Sequence, residues 1–254
     1  MKYSKHKIIA IKAIHILLIV ILSIIIFIKI NEMKNIFLFI VPARGGSKRL
    51  PGKNLKNFMG KPLIFWTLEQ ALRLKKYGNT VVSSDSDLIL KKCSKYKDLI
   101  ILKRPKYLST NYASLIDVTK HVTNKLKHEN NILILQPTSP LRKDNDIIKG
   151  IKIIEKGASA VMSQSKLQYN LKKIGLSNAK NYFKPLGIKN SSIYAPNGAV
   201  FAAKYEWILK HKTFYDKSVK TYEMPSERAI DMLLAMGIIK ELPNKEIVKG
   251  DENE

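Results

Sequence analysis

The single cysteine, Cys93, has no partner for an intrachain disulfide, which excludes a disulfide scaffold and fits a reducing compartment. It falls in a stretch with helical periodicity, where a thiol packs as a small hydrophobe rather than serving as a nucleophile. Arginine is scarce: of 45 basic residues only six are arginine, Arg44, Arg49, Arg73, Arg104, Arg142 and Arg228. The formal net charge of +25 therefore comes from lysines scattered along the chain. Readers of bases and phosphates favour clustered arginine, so no specific nucleic-acid partner is expected. His121 and His128 have no companion ligands at metal spacing. Neither standard phosphate motif, G-x-x-x-x-G-K-[ST] or G-x-G-x-x-G, occurs. No internal repeat or long low-complexity linker interrupts the chain, whose 254 residues fit one α/β domain with a self-sufficient core.

What is present is concentrated in residues 36–54. The unbroken apolar run 36–41 predicts a strand buried on both faces, as a parallel sheet requires. Pro42 ends the ladder because it has no N–H to donate. Gly45 and Gly46 then allow positive φ and close backbone approach to a ligand. Arg44, Lys48, Arg49 and Lys53 follow in one loop with Ser47 and Asn54 as hydrogen-bonding neighbours. A polyphosphate suits such a loop.

Beyond it the pattern alternates between short apolar runs and helical periodicity. Helices are expected at 61–76, with Gly78 as the stop, and at 87–95, 114–127 and 144–156. Strands are expected at 80–85, 99–102, 132–135 and 158–163. Asp85 ends its strand and is expected to cap the next helix, with a metal or sugar as the alternative contact. Ser114 stands where an N-cap would. Asn197-Gly198 is a tight-turn signal. This β-loop-α rhythm predicts a doubly wound α/β sheet with its ligand loops at the C-terminal ends of the strands.

The word ARGGSKRLPGKN at 43–54 resembles the nucleotide-binding signature of the acylneuraminate cytidylyltransferases, the CMP-sialic acid synthetase family. KRPKYLSTNYAS at 103–114 is similar to the family's second signature, LQPTSPLR at 135–142 to its third, and PNGA at 196–199 to a fourth. The likeness continues through 211–215 and 222–231. The resemblance implies a Rossmann-like, mostly parallel sheet of nucleotidyltransferase type with helices on both faces, and a dimerisation arm at about 164–193. It implies CTP and a nine-carbon α-keto acid sugar as substrates, a homodimer, and Mg²⁺. By position, Arg44, Lys48 and Lys53 would act on the phosphates. Arg44, Gly45, Ser47, Lys53, Asn54, Arg104 and Ser114 would hold the nucleotide, Gln136 and Asn197 the sugar, and Asp231 the metal. One departure stands out. The family continues Asp-Ile-Asp-Thr-Glu-x-Asp, whereas Asp231 is followed by Met232, Leu233 and Leu234, leaving one carboxylate where the family uses two. The same motifs admit a 3-deoxy-manno-octulosonate cytidylyltransferase or a catalytically degenerate nucleotide-binding homologue as alternatives.

Residues 1–32 form a separate apolar segment. Residues 8–30 are long enough to cross a bilayer and follow a basic start without a small-x-small cleavage site. The expectation is a chain working from Met33 in the cytoplasm, with a nucleotidyltransferase domain at 33–243 and a solvated tail at 244–254. The alternative is an inner-membrane anchor with the catalytic domain facing the cytoplasm, and membrane contact arises only if 8–30 is retained.

Overall fold

The computed structural model describes residues 5–34, 37–47, 50–166, 175–177, 183–185, 194–225 and 228, which divide between two compact units, Met1–Ile36 and Phe37–Glu254. Lys48, Asp231, most of the expected arm and the tail lie outside the described residues.

The first unit is one helix, α1 (Lys5–Lys34). Every side chain from 11 to 26 is exposed. Among the described residues no helix is long and apolar enough to cross a membrane. The side chains described in α1 cover only 11–26, roughly 24 Å of rise, against about 30 Å of bilayer hydrocarbon. The stretch 8–30 extends past them at both ends.

The second unit is built on β1 (Phe37–Pro42), the expected apolar run. Phe37, Phe39 and Val41 belong to one core cluster and Leu38 and Ile40 to the other, so successive side chains feed opposite faces of the sheet. Burying a large apolar side chain contributes roughly 2 kcal/mol, and this strand is buried from Phe37 through Val41. Next come β2 (Asn57–Phe58) and β3 (Lys61–Pro62), a small hairpin that leads into α2 (Leu63–Arg73). The helix therefore begins later than the 61 expected from periodicity, because Lys61 and Pro62 are occupied in the hairpin. The chain continues through β4 (Gly78–Ser84), α3 (Asp87–Cys93), β5 (Leu99–Lys103), α4 (Leu115–Leu126), β6 (Ile132–Ile134) and α5 (Asp144–Glu155). After these lie β7 (Ala160–Lys166), β8 (Gly175–Ser177), β9 (Phe183–Pro185), β10 (Tyr194–Ala203), α6 (Tyr205–Lys210) and β11 (Lys220–Glu223).

Seven strands form the main sheet in the order β11-β7-β10-β6-β1-β4-β5. The pairs β1·β4, β1·β6, β4·β5 and β11·β7 are parallel, whereas β10 runs antiparallel to both β6 and β7. Helices α2, α3 and α5 supply one apolar layer, through Ile64, Leu68, Ile89, Ile147 and Ile151. Helices α4 and α6 supply the other through Ile116, Val122, Trp207 and Ile208. Cys93 is buried and its thiol is pushed up to about 11 by that burial, so it packs and does not react. Strands β8 and β9 pair only with each other, apart from the main sheet, within the expected arm.

Two local expectations are corrected. Gly78 does not stop α2, which ends at Arg73, but closes the 3-10 turn Lys75–Tyr77 that follows it and opens β4 against Phe37. Asn197-Gly198 is not a turn between elements. It lies inside β10, where the register with β7 shifts between Pro196 and Phe201 as a bulge.

The chain lays down β1, β4 and β5 on one side and then crosses to place β6 on the other side of β1. The loops after β1 and β6 thus leave in opposite directions, and this switch point is where an open α/β sheet forms its ligand crevice.

Candidate active site

The loop after β1 is fastened to the end of its neighbour β4. Ala43 N donates to Ser83 O at 2.9 Å, continuing the β1·β4 ladder past Pro42. Gly45 N donates to Asp85 Oδ1 at 2.9 Å. Neither Gly45 nor Gly46 takes positive φ. Gly45 serves for room instead, since a Cβ there would meet Ser86 Cβ at 2.9 Å. Asp85 consequently does not cap α3. Ser86 does, its hydroxyl accepting from Ile89 N, and Asp85 is left beside the loop with its other oxygen unpartnered among the described residues.

Asn54 is 6% exposed and its Nδ2 donates to Arg44 O at 2.9 Å, closing the loop on itself. Lys53 is half-buried at the start of a short 3-10 turn, Lys53–Leu55. Arg44 reaches across to the segment after β5, where its Nη1 donates to Thr110 O at 3.0 Å. Arg104 is 4% exposed and fixed by its Nε to Ser109 Oγ at 2.9 Å, and its backbone N donates to Ser84 O. Burial lowers the Arg104 pKa, opposed by Asp85 and helped by Arg44. Arg44, Gly45, Asn54, Asp85 and Arg104 therefore belong to one hydrogen-bonded or electrostatically linked edge of the sheet, with Lys53 next to Asn54 in the same loop. Ser47 is half-buried on the same loop. Ser114 caps α4: its hydroxyl accepts from Asp117 N at 3.0 Å and donates to Asp117 Oδ2 at 2.7 Å. Its only proton is thus directed to Asp117 rather than into the site.

The other half of the crevice is made by the loop after β6 and the bulge of β10. Gln136 is half-buried, and its side-chain amide lies over Gly198, where a Cβ would come 3.6 Å from Oε1. Asn197 is 2% exposed and its amide is engaged within the chain. Its Oδ1 accepts from Ser163 Oγ at 2.6 Å and Ala199 N at 3.1 Å, and its Nδ2 donates to Ser165 Oγ at 2.9 Å. Asn197 therefore holds the bulge in place, and Gln136 is the side chain that it leaves facing outward. Asn197→Ala is expected to cost about 2–3 kcal/mol, because it strands the buried Ala199 N–H and takes one of the partners of each of two buried serine hydroxyls. Urea unfolding checks this, and a midpoint equal to that of the wild type would remove the bracing role.

Two participants were not legible in the sequence. Asp85 stood in a strand tip with two serines, and nothing local distinguished a cap from an acceptor for Gly45 N. Arg142 carried no role although it is 3% exposed and bonded to both α2 and β10. The signal available was an arginine closing a loop stiffened by Pro137 and Pro140.

The family model described as cytidylyltransferase matches residues 38–248. An N-acylneuraminate cytidylyltransferase of Streptococcus agalactiae serotype V is 30% identical over 211 residues, 76% of this chain and 49% of that protein. A CMP-N,N'-diacetyllegionaminic acid synthase of Legionella pneumophila is 31% identical over 195 residues, 72% of this chain and 84% of that protein. A pseudaminic acid cytidylyltransferase of Campylobacter jejuni is 36% identical over 155 residues, 59% of this chain and 66% of that protein. The chain spans about half the length of the Streptococcus relatives it matches. Among solved structures, a CMP:2-keto-3-deoxy-manno-octonic acid synthetase complexed with CTP shares the fold at a TM-score of 0.59 with 16% identity, covering 80% of this chain and 98% of that one. A 4-diphosphocytidyl-2C-methyl-D-erythritol synthase of Anaerococcus prevotii shares it at 0.56 with 14% identity, covering 76% and 89%. With the motifs at the switch point and the family model running the length of the sheet, this chain belongs to the cytidylyltransferase family.

Proposed function

We propose that the protein is a nucleotidyltransferase that joins CTP to a nonulosonic acid of the sialic, legionaminic or pseudaminic type, giving the CMP-sugar and pyrophosphate for surface glycan synthesis. The observation that carries this reading is the convergence of Arg44, Asn54 and Arg104 on one sheet edge by hydrogen bonds within and between two loops, the one after β1 and the one after β5. The relatives' substrates support the acid class.

The anomeric hydroxyl of the sugar attacks the α-phosphorus of CTP. An O–P bond forms, the bond from the α-phosphorus to the bridging oxygen breaks, and pyrophosphate leaves with the electron pair while the hydroxyl proton passes to solvent. The protein supplies position and charge neutralisation rather than covalent chemistry. Arg44, Lys48 and Lys53 act on the triphosphate, Ser47, Asn54 and Arg104 hold the nucleotide, and Gln136 meets the sugar over the floor shaped by Asn197. Ser114 contributes through α4, whose start it caps.

The donor set also suits Mg²⁺. Such an ion takes one or two carboxylates together with substrate phosphates, and Asp85 presents an unpartnered carboxylate oxygen beside the loop. Asp85 and Asp231 are the residues that would hold Mg²⁺, which would neutralise charge on the leaving pyrophosphate. A homodimer using the arm at about 164–193, working in the cytoplasm where CTP is available, completes the reading.

The test is pyrophosphate release by the full chain with CTP, Mg²⁺ and a panel of nonulosonic acids, with 3-deoxy-manno-octulosonate included. Release with a nonulosonic acid, abolished by chelation, is the expected result. Release with 3-deoxy-manno-octulosonate alone would transfer the protein to the other sugar class. No release with any acid, from folded protein that binds CTP, would identify a degenerate nucleotide-binding homologue.

A further inference from the structure

We propose that Arg142 is a positioning residue for the sugar end of the site, holding Gln136 against the Asn197-Gly198 bulge. The inference deepens the proposed function and rests on it.

The guanidinium reaches two separate elements and the head of its own loop. Its Nε donates to Gln70 Oε1 at 2.9 Å and its Nη2 to Thr67 Oγ1 at 3.3 Å, both on α2. Its Nη1 donates to Ala199 O at 2.5 Å, on β10, and to Gln136 O at 3.4 Å, at the head of the loop after β6. The backbone carbonyl of Arg142 in turn accepts from Gln70 Nε2 at 2.5 Å. The two acceptors of Nη1 are informative. One is the main chain of the residue whose amide faces the crevice, and the other directly follows Gly198, over which that amide lies. A single nitrogen therefore sets the separation between the two walls.

Within the loop, backbone bonds from Ser139 N to Gln136 O and from Arg142 N to Ser139 O, both 3.3 Å, close its turn, but neither reaches β10. Thr138 Oγ1 and Ser139 Oγ are buried without partners among the described residues, so the loop's own hydroxyls do not brace it. Nor is Arg142 there to form an ion pair. The carboxylates nearest in sequence are taken, Asp144 by Arg73 and Asp146 by Arg228, and no described carboxylate lies within ion-pair distance of Arg142. Burial draws the Arg142 guanidinium down to about 10, while Tyr222, Asp146 and Asp144 favour its charge, so it stays protonated at neutral pH. A buried cation served by neutral acceptors is costly as a mere core residue. A planar fork that reaches α2, β10 and the loop head at fixed angles is what lysine or glutamine cannot reproduce.

The test is a double-mutant cycle on initial rates with the nonulosonic acid that supports turnover. Arg142→Lys keeps a charge and loses the fork, and it is expected to raise KM for the acid by about tenfold while KM for CTP stays within about twofold. In a Gln136→Ala background the same change is expected to add nothing further to KM for the acid, because its effect acts through Gln136. A parallel rise in both KM values, or an undiminished effect of Arg142→Lys in the Gln136→Ala protein, would reduce Arg142 to a general brace of the fold and overturn the proposal. Should Arg142→Lys not fold, Thr67→Val removes one acceptor of the same fork. A smaller selective rise in KM for the acid is then expected, and unchanged KM values overturn the proposal. Wild-type protein inert with every acid defeats the proposed function first and this inference with it, an outcome distinguishable from a failure of the variants alone.

Discussion

Replacing Arg44 with methionine is expected to lower kcat/KM for CTP by about 10²–10³-fold while leaving the melting temperature nearly unchanged. The side chain leaves the end of β1, and its only described bond within the protein is the one from Nη1 to Thr110 O, at an exposed position. Removing one exposed hydrogen bond costs the fold about 1 kcal/mol or less. The remaining donors of the guanidinium have no described partner, and they stand on the loop that Asn54 and Asp85 hold in shape. Two charge-assisted bonds to phosphate, taken at the lower end of about 1.5–3 kcal/mol each, give the expected fall in rate. Methionine matches the length of the stem without the fork, so packing is little disturbed. Arg44→Lys is expected to fall between the two, because a point charge restores attraction but not bidentate geometry. Steady-state kinetics beside a thermal melt check the pair. Activity of Arg44→Met within tenfold of wild type would falsify the phosphate role, and a large loss of melting temperature would reassign the residue to the fold.

The parts of this molecule that could be read from the sequence are those whose cause is local. The run ending at Val41 announced a strand buried on both faces, and the two core clusters divide its side chains as the pleat demands. Gly45 and Asn54 could be placed in the loop after β1 from their immediate neighbours, whereas Arg104 was named only through the resemblance of 103–114 to the family's second signature. Ser114 was legible as a cap because its partner Asp117 is three residues away. What escaped depended on register and on distant partners. That β10 runs backwards, and that Asn197-Gly198 is its bulge, follows from pairing with β6 and β7 and from no feature within 194–203. Asp85 and Ser86 are both competent caps, and the choice fell to Ser86 because Gly45, forty residues earlier, claims the carboxylate. Arg142 finds Gln70 across 72 residues of chain, a separation that no periodicity encodes.

Gly78→Ala is expected to destabilise the protein by about 4 kcal/mol, a large share of the stability of an ordinary domain. The cause is the spacing of two backbones. Gly78 pairs with Phe37 in the first rung of the parallel β1·β4 ladder. A Cβ built on it would lie 1.7 Å from Phe37 O, 2.5 Å from Phe37 C and 2.9 Å from Phe37 N. These are main-chain atoms, so no rotamer change relieves the overlap, and the strands must separate. Phe37 cannot retreat freely, since it is 0% exposed at the head of the strand that both core layers pack against. The damage reaches the site through the same strand. Parting β1 from β4 loosens the bond from Ala43 N to Ser83 O at the far end of the ladder and, beyond it, that from Gly45 N to Asp85. Affinity for CTP is accordingly expected to fall in whatever fraction of the variant remains folded. A deletion that empties a core site leaves such a loop in place, whereas this added methyl displaces its base. Denaturant unfolding and CTP titration of the folded fraction check the two halves. A variant as stable as the wild type would mean that the two strands do not approach this closely, and a destabilised variant with unaltered CTP affinity would break the mechanical link from the first rung to the loop.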